Sequence, residues 1–319
     1  MTLARRNSRA EVSVLVPAKD EAENLPEFLR QCASALEGED SSYEVIVVND
    51  GSEDDTADVL EELREKYEFL GVRSHRSRLG IADALRTAAD HASGRIFVFY
   101  PADLQFAPAE IPQLVAPILS GEADMVTGRK EGVYEKAFIS GVYNFLCRLL
   151  FGIRVTDLNA VKAYRREIMD VLPRRPDWHR FMAVVASAEG FTLTERPVTL
   201  HPRRAGQSKF GLARIPVGVL DLMSVWFQVR FGRKPMLFFG LSGGILFLLG
   251  FVTGVFALVL RFWYGFGFRP LLDLVMVLVI SGIVLFGFGF VGEMLAGARE
   301  EIRQLSAAVE RLNDSERNR

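Results

Sequence analysis

From Pro235 to about Ala298 the chain almost loses its charges, and this constrains what it can fold into more than any other feature. Within that region Met236 to Leu260 and Leu271 to Ala296 are each roughly 25 residues, enough at ~1.5 Å per residue to cross a ~30 Å hydrocarbon core with some tilt. The connection, Arg261 to Pro270 (RFWYGFGFRP), is short and aromatic, as suits a turn at a membrane-water interface. The pair reads as a helical hairpin. Arg230, Arg233 and Lys234 precede the first span and Arg299 and Arg303 follow the second, so the positive-inside rule puts both ends of the chain in the cytoplasm, against the weaker pull of Arg261 and Arg269. The opening MTLARRNSRAE leads into an apolar stretch, Val12 to Ala18, too short for the core of a signal peptide, so none is expected.

The first two-thirds mix charged and apolar residues as a soluble domain does. A net charge of -2 over 319 residues gives no case for nucleic-acid binding. Cys32 and Cys147 are isolated, which predicts reduced core thiols. Five short apolar runs read as strands: Val12 to Pro17, Tyr43 to Asp50, Gly71 to His75, Arg95 to Tyr100 and Ala123 to Gly128. Helical patterns separate them at Leu25 to Leu36, Thr56 to Lys66, Ile81 to His91 and Glu110 to Ser120. This alternation predicts an α/β domain whose mostly parallel sheet is covered on both faces. Asn144 to Phe191 reads as mostly helical and Thr192 to Leu200 as a further strand. Gly211 to Gly232 predicts an amphipathic helix on the membrane, and Ile302, Leu305, Val309 and Leu312 form a short coiled-coil-like seam that would support self-association. The expected organisation is a catalytic domain over 1–210, a juxtamembrane helix over 211–234, the hairpin over 235–298 and a C-terminal helix over 299–319.

In parallel sheets ligands bind at the carboxyl ends of the strands, so the polar residues there are the candidates for chemistry. After the first strand comes PAKDEAENL (Pro17 to Leu25), and after the second NDGSEDDT (Asn49 to Thr56). Asp50 can accept from ribose hydroxyls or base N–H groups while Gly51 lets the chain turn closely around a ligand. Helix capping by Ser52 or Asp54, with Glu23 and Asn24 in an entry turn, is the alternative for these carboxylates. After the fourth strand, Pro101-Ala102-Asp103-Leu104-Gln105 offers one carboxylate where a metal site often shows two.

These segments resemble family-2 glycosyltransferases. Pro17-Ala18-Lys19-Asp20-Glu21 looks like the family's P-A-x-N-E with Asp20 in place of Asn, Asp50 to Thr56 matches D-G-S-x-D-x-T, and Ala102 to Gln105 matches the tail of D-A-D-L-Q with Pro101 in place of the first Asp. With the hairpin included, nearly the whole chain is similar to the membrane-anchored polyprenyl-phosphate branch, which holds dolichyl-phosphate mannose synthases and undecaprenyl-phosphate glucosyltransferases. The resemblance implies a GT-A, Rossmann-like domain in the cell (inner) membrane. The implied reaction is inverting transfer of a hexose, glucose or mannose first, from a UDP- or GDP-sugar to a polyprenyl phosphate with Mg2+ or Mn2+.

The acceptor phosphate is already anionic near neutral pH, so the chemistry asks for positioning and for stabilisation of the departing diphosphate more than for a strong base. On the resemblance, Pro17, Ala18, Asp20, Glu21, Asp50, Gly51, Ser52, Gly80 and Ala102 are expected around the nucleotide sugar, and Asp103 and Gln105 at the metal. Arg129 and Asp157 join them as catalytic candidates. The lipid phosphate is assigned to Arg129 and to HPRRAGQSKFG, which resembles R-x-x-G-x-S-K through Arg203, Gly206, Ser208 and Lys209. The family often has a basic residue where Ile81 stands, and Arg76 and Arg78 are candidates to replace that charge. Lys162 stands where a small or apolar residue is expected, Arg180 is a further acceptor-site candidate, and His75, His91, His179 and His201 lack metal-ligand spacing. A non-catalytic binding protein would also carry these motifs, with Pro101 its support. A processive polysaccharide synthase would need a Q-x-x-R-W motif and more spans, and neither is present.

Overall fold

The computed structural model describes residues 10–37, 41–131, 147–202 (without 154, 156, 159, 174, 176 and 177) and 215–317 (without 266). The chain divides into two compact units, Met1–Ile215 and Pro216–Arg319.

The first unit is built on a seven-stranded sheet in the order β3-β2-β1-β4-β6-β5-β7. Its strands are β1 (Val12–Ala18), β2 (Tyr43–Asn49), β3 (Leu70–Ser74), β4 (Ile96–Phe99), β5 (Met125–Glu131), β6 (Lys162–Arg165) and β7 (Leu193–Thr199). All neighbours run parallel except β6, which is antiparallel to both β4 and β5. Because β1, β2 and β4 are buried on both faces, their sequences are continuous apolar runs. Helices α1 (Leu25–Leu36), α2 (Thr56–Lys66), α3 (Ile81–His91) and α4 (Ile111–Leu119) follow the first four strands, the last after a 3-10 turn at Pro108–Glu110. Each turns an apolar stripe inward: Leu25, Phe28, Leu29 and Cys32 on α1, and Ala84, Leu85, Ala88 and Ala89 on α3. Cys32 and Cys147 are buried and neither is in a disulfide.

One strand escapes the sequence reading. Residues 162–165 (KAYR) fall in the stretch expected to be mostly helical, yet they form β6, and helices α5 (Arg166–Val171) and α6 (Met182–Ala188) flank a further 3-10 turn at Trp178–Phe181. The strand is four residues long, begins on lysine and ends on arginine, so its pattern carries no apolar alternation. Pairing on both sides with β4 and β5 supplies what its own composition does not.

The second unit holds α7 (Ile215–Phe231), α8 (Pro235–Trp263) and α9 (Arg269–Arg317). Two stretches are long and apolar enough to cross a membrane, Pro235–Trp263 and Arg269–Ile302. In α7, Leu222 and Val225 are buried, Val219, Leu220 and Met223 are exposed, and Trp226, Phe227 and Phe231 stack on Phe238 at the start of α8. Ile302, Leu305 and Val309 of the seam are exposed along α9, and the side chain of Leu312 lies outside the described residues.

Glycines set the hairpin's close approach. A Cβ added to Gly243 would lie 2.6 Å from the Gly282 carbonyl oxygen, and one on Gly282 would lie 2.7 Å from the Phe247 backbone nitrogen. Further along, a Cβ on Gly250 would meet Val279 at 2.8 Å and one on Gly292 would meet Pro235 at 2.8 Å. The Met236 N–H at the start of α8 donates to Glu293 Oε2 of α9 at 3.2 Å, so this carboxylate caps the neighbouring helix. Gly282→Leu is therefore expected to destabilise the hairpin by roughly 1–3 kcal/mol or more, through overpacking against backbone that cannot yield. Gly244→Leu should be silent, because a Cβ there meets nothing within 4 Å. Thermal unfolding of both variants in one detergent checks the contrast.

Candidate active site

The segments after β1 and β2 are laced into one cradle. Backbone joins them first: the Asp50 N–H donates to the Ala18 carbonyl at 2.8 Å. Side chains then tie the two turns, with the Asp20 N–H donating to Ser52 Oγ at 2.9 Å, the Glu21 N–H to Thr56 Oγ1 at 2.9 Å and the Glu53 N–H to Asp20 Oδ1 at 2.9 Å. Lys19 Nζ reaches the Gly51 carbonyl at 3.1 Å and the Asp20 carboxylate at 3.3 Å. Asp20 adopts a positive φ of 58°. Asn and Asp tolerate this left-handed conformation better than other residues with a Cβ, which explains how Asp can stand where the family has Asn. These side chains do both jobs: Asp54 Oδ1 accepts the Thr56 N–H at the start of α2 at 3.1 Å while its Oδ2 accepts the Ala22 N–H at 3.3 Å, and Ser52 bonds across to residue 20.

Asp50 is buried beneath this cradle and organises the segment after β3. Its Oδ1 meets His75 Nδ1 at 2.8 Å and accepts the Leu79 N–H at 2.8 Å, while Oδ2 accepts the Gly80 N–H at 2.8 Å. Burial alone would push this carboxyl up, but the bonds from His75, Leu79 and Gly80 outweigh it and hold the group below the usual carboxylate range. His75 is in turn 2.9 Å from Thr87 Oγ1 on α3. The histidine is satisfied, as a non-metal histidine should be, yet it belongs to the site, because it orients the carboxylate on which the cradle closes. Gly80 has a φ of 104° and precedes α3, but its own N–H is committed to Asp50 instead of a ligand. Gly51, with a φ of 65°, lies against the backbone of Ser77 and Arg78.

The segment after β4 alternates. Ala102, Leu104 and Phe106 are buried in the core, while Pro101, Asp103 and Gln105 are partly exposed on the other side. Leu104 has a φ of 58°, a left-handed conformation that costs a leucine roughly 1–2 kcal/mol, and its buried side chain anchors it there. The kink lets Asp103 Oδ1 accept the Gln105 N–H at 3.2 Å, and the Gln105 carbonyl accepts the His201 N–H at 2.8 Å. Asp103 and Gln105 are both hard oxygen donors, and they suit a divalent cation that takes its remaining ligands from diphosphate and water. Among the described residues no group of three or more His, Cys, Asp and Glu side chains could hold a metal ion without such help.

At the far side of the sheet the expected residues separate. Arg129 is exposed and pairs with Glu131 at 3.1 Å. Its neighbour Lys130 instead reaches inward to Asp157, with Nζ 3.4 Å from Oδ2 and both side chains largely buried. Asp157 also donates its N–H to Glu195 Oε1 at 3.3 Å. Behind it lies Lys162, fully buried, with Nζ donating to the Ala160 carbonyl at 2.8 Å and sitting 5.6 Å from the centre of the Phe99 ring. Sequence reasoning misses Lys130, which its neighbour Arg129 overshadows, and treats Lys162 as a misfit. Arg203, Gly206, Ser208 and Lys209 lie outside the described residues.

A mostly parallel sheet with a laced cradle after β1 and β2 and an Asp-x-Gln turn after β4 defines a glycosyltransferase of the GT-A type. Residues 13–159 match the family model described as Glycosyl transferase family 2. The chain is 28% identical over 303 residues to the dodecaprenyl-phosphate galacturonate synthase of Rhizobium johnstonii, covering 90% of this chain and 88% of that protein. It is also 28% identical over 302 residues to the undecaprenyl-phosphate 4-deoxy-4-formamido-L-arabinose transferase of Sodalis glossinidius, covering 92% and 90%. Among solved structures, glucosyl-3-phosphoglycerate synthase from Mycobacterium tuberculosis, crystallised with Mn2+, UDP-glucose and phosphoglyceric acid, shares the fold with a TM-score of 0.54 at 22% identity, covering 69% of this chain and 79% of that one. Residues 13–159 thus match glycosyl transferase family 2, and nearly the whole chain is similar to polyprenyl-phosphate sugar transferases.

Proposed function

We propose that this enzyme transfers a sugar, with inversion, from a nucleotide-diphosphate donor to a polyprenyl phosphate, and that two membrane helices hold it where that lipid is found. One observation carries the reading. Relatives whose names specify polyprenyl-phosphate acceptors match across about the whole chain, hairpin included, and not only across the sheet domain. The donor is a UDP- or GDP-sugar. A neutral hexose such as glucose or mannose follows from the resemblance of the motifs, while the names of the relatives extend the range to a uronic acid and to a formamido pentose. The basic residues flanking the spans favour a cytoplasmic catalytic domain in the inner membrane.

In this mechanism the cradle of residues 17–21 and 49–53 binds the nucleoside end, with Asp50 fixing the 75–80 segment against it. Asp103 and Gln105 would hold Mg2+ or Mn2+, which supplies charge neutralisation for the departing diphosphate. Asp157 orients the sugar, and Lys130 holds Asp157 in place. The acceptor phosphate arrives as an anion and is guided by Arg129 and by the basic segment at Arg203, Ser208 and Lys209, close before the first span in sequence.

The test is a product assay. Purified full-length protein in detergent is incubated with undecaprenyl phosphate, Mg2+ or Mn2+, and labelled UDP-glucose, GDP-mannose, UDP-galacturonate or the UDP-linked formamido-arabinose. Label extracted into organic solvent from one donor, and lost when the lipid phosphate is omitted, is the expected result. Transfer that does not need the lipid phosphate, or no transfer from any donor, would overturn the proposal.

A further inference from the structure

The far side of the sheet carries a buried polar cluster to which the proposed mechanism gives no role. Lys162 opens β6, and strand register sets it beside Phe99 of β4 and Thr127 of β5, with Glu195 of β7 next in the row. Residues paired in register share a face of the sheet, so this row lies on one face, at the carboxyl end of β4 and beside the first half of β5. β4 leads directly into the Asp103 turn, and Arg129 and Lys130 follow Thr127 within β5. The 3-10 turn at Trp178–Phe181 packs on the same row through the edge of His179 on Phe99, at 6.2 Å between ring centres.

This cluster is short of hydrogen bonds. Thr127 Oγ1 and His179 Nδ1 are buried with no partner among the described residues, and the Lys162 ammonium, which can donate three bonds, donates to the Ala160 carbonyl. Buried polar groups left in that state cost stability, and a methionine would fill the space of Lys162 without the desolvation. The charges bearing on Lys162 are Asp157 from the preceding loop, Lys130 from β5 and Arg180 from the 3-10 turn. Asp157 is the attractive one of the three.

We infer that Lys162 is a positioning residue for transfer: from beneath the site its ammonium, bonded to the Ala160 carbonyl at 2.8 Å, holds the loop that carries Asp157 and so aims that carboxylate at the sugar, alongside the grip that Lys130 supplies directly. This rests on the role proposed for Asp157. Burial lowers the affinity of Lys162 for its proton from the ordinary value of 10.5 to about 7, with Asp157 opposing that shift and Lys130 and Arg180 adding to it. His179, depressed chiefly by burial and then by Lys162 and Arg180, is neutral throughout the physiological range and does not compete. The native chain thus holds the Lys162 proton less tightly than the unfolded chain does. The resulting cost in stability is fully present below about pH 7 and fades as pH rises from about 7 towards 10.5.

Two signs follow for Lys162→Met in the full-length enzyme. Its melting temperature should rise, and rise more at pH 6.5 than at pH 9, while kcat should fall roughly ten- to hundredfold with the donor KM little changed, as when a reacting group is misdirected. The wild-type rate should decline as pH rises through about 7, where the ammonium is lost, and that limb should be absent from Lys162→Met. Lys162→Arg, which keeps its charge, should restore part of kcat and carry it to higher pH. Wild-type kcat and an unchanged pH profile in Lys162→Met would overturn the inference, and so would a loss of rate accompanied by a lower melting temperature, which would mark a structural role. An inactive wild type would instead sink the proposed reaction and with it the role given to Lys162, whereas the melting curves at the two pH values test the buried charge independently of turnover.

Discussion

Asp103→Ala is expected to lower kcat/KM by roughly 10²–10³-fold while leaving the melting temperature close to that of the wild type. The two halves of this prediction have different origins. Asp103 faces away from the core, and the residues that fasten its turn are its neighbours Ala102, Leu104 and Phe106, all buried. Removing its carboxylate removes one acceptor for the Gln105 N–H at 3.2 Å and little packing. In activity the loss is much larger, because the carboxylate is the charged member of the pair proposed to hold the cation. Full metal-dependent turnover by the variant would move the metal elsewhere. The same geometry gives an opposite variant. Pro101 shares the side of Asp103 and Gln105, so Pro101→Asp adds a carboxylate facing the same way and should lower the metal concentration for half-maximal rate by about tenfold. On the proposed assignment of the cation to Asp103 and Gln105, that gain would mark Pro101 as weakening the site without abolishing it.

Much of this fold is legible in the sequence. Helices α1, α2 and α3 have the bounds that periodicity predicts, because each presents one apolar stripe to one sheet face. The doubly covered strands are legible for the same reason: burial on both faces leaves an unbroken apolar run. β6 is not, because its stability comes from two neighbouring strands and its residues look like a charged loop. The site divides in a similar way. Carboxylates at strand ends are visible as motifs, but what each one touches is a tertiary property. Nothing local says that His75 closes on Asp50 across 25 residues, or that Lys130 turns towards Asp157 while Arg129 turns out. Lys162 is visible in the sequence and easily misjudged, because a lysine in a buried row looks like a mismatch until the unpartnered groups around it come into view.

Gly51→Ala should cost the enzyme its donor, raising KM for the nucleotide sugar by about a hundredfold, and a substitution this small should have that effect for two additive reasons. Its φ of 65° is left-handed, which costs an alanine roughly 1–2 kcal/mol. More decisive is what the new methyl would meet: the Ser77 carbonyl carbon at 2.6 Å and the Arg78 nitrogen at 2.7 Å, both backbone. That backbone cannot simply step aside, because Asp50 holds the segment through His75, Leu79 and Gly80. Moving it breaks those bonds and leaves a buried carboxylate short of donors. Gly121 provides the control: its φ is 76° but an added Cβ there meets nothing within 4 Å, and it lies between α4 and β5, at the amino end of its strand and so away from the cradle. Gly121→Ala should therefore show the conformational cost in its melting temperature and leave KM alone. Titration of UDP and GDP into both variants separates strain from steric collision. If Gly51→Ala bound nucleotide as the wild type does, the segments after β1 and β2 would not be the donor cradle, and the nucleotide would have to be sought along another edge of the sheet.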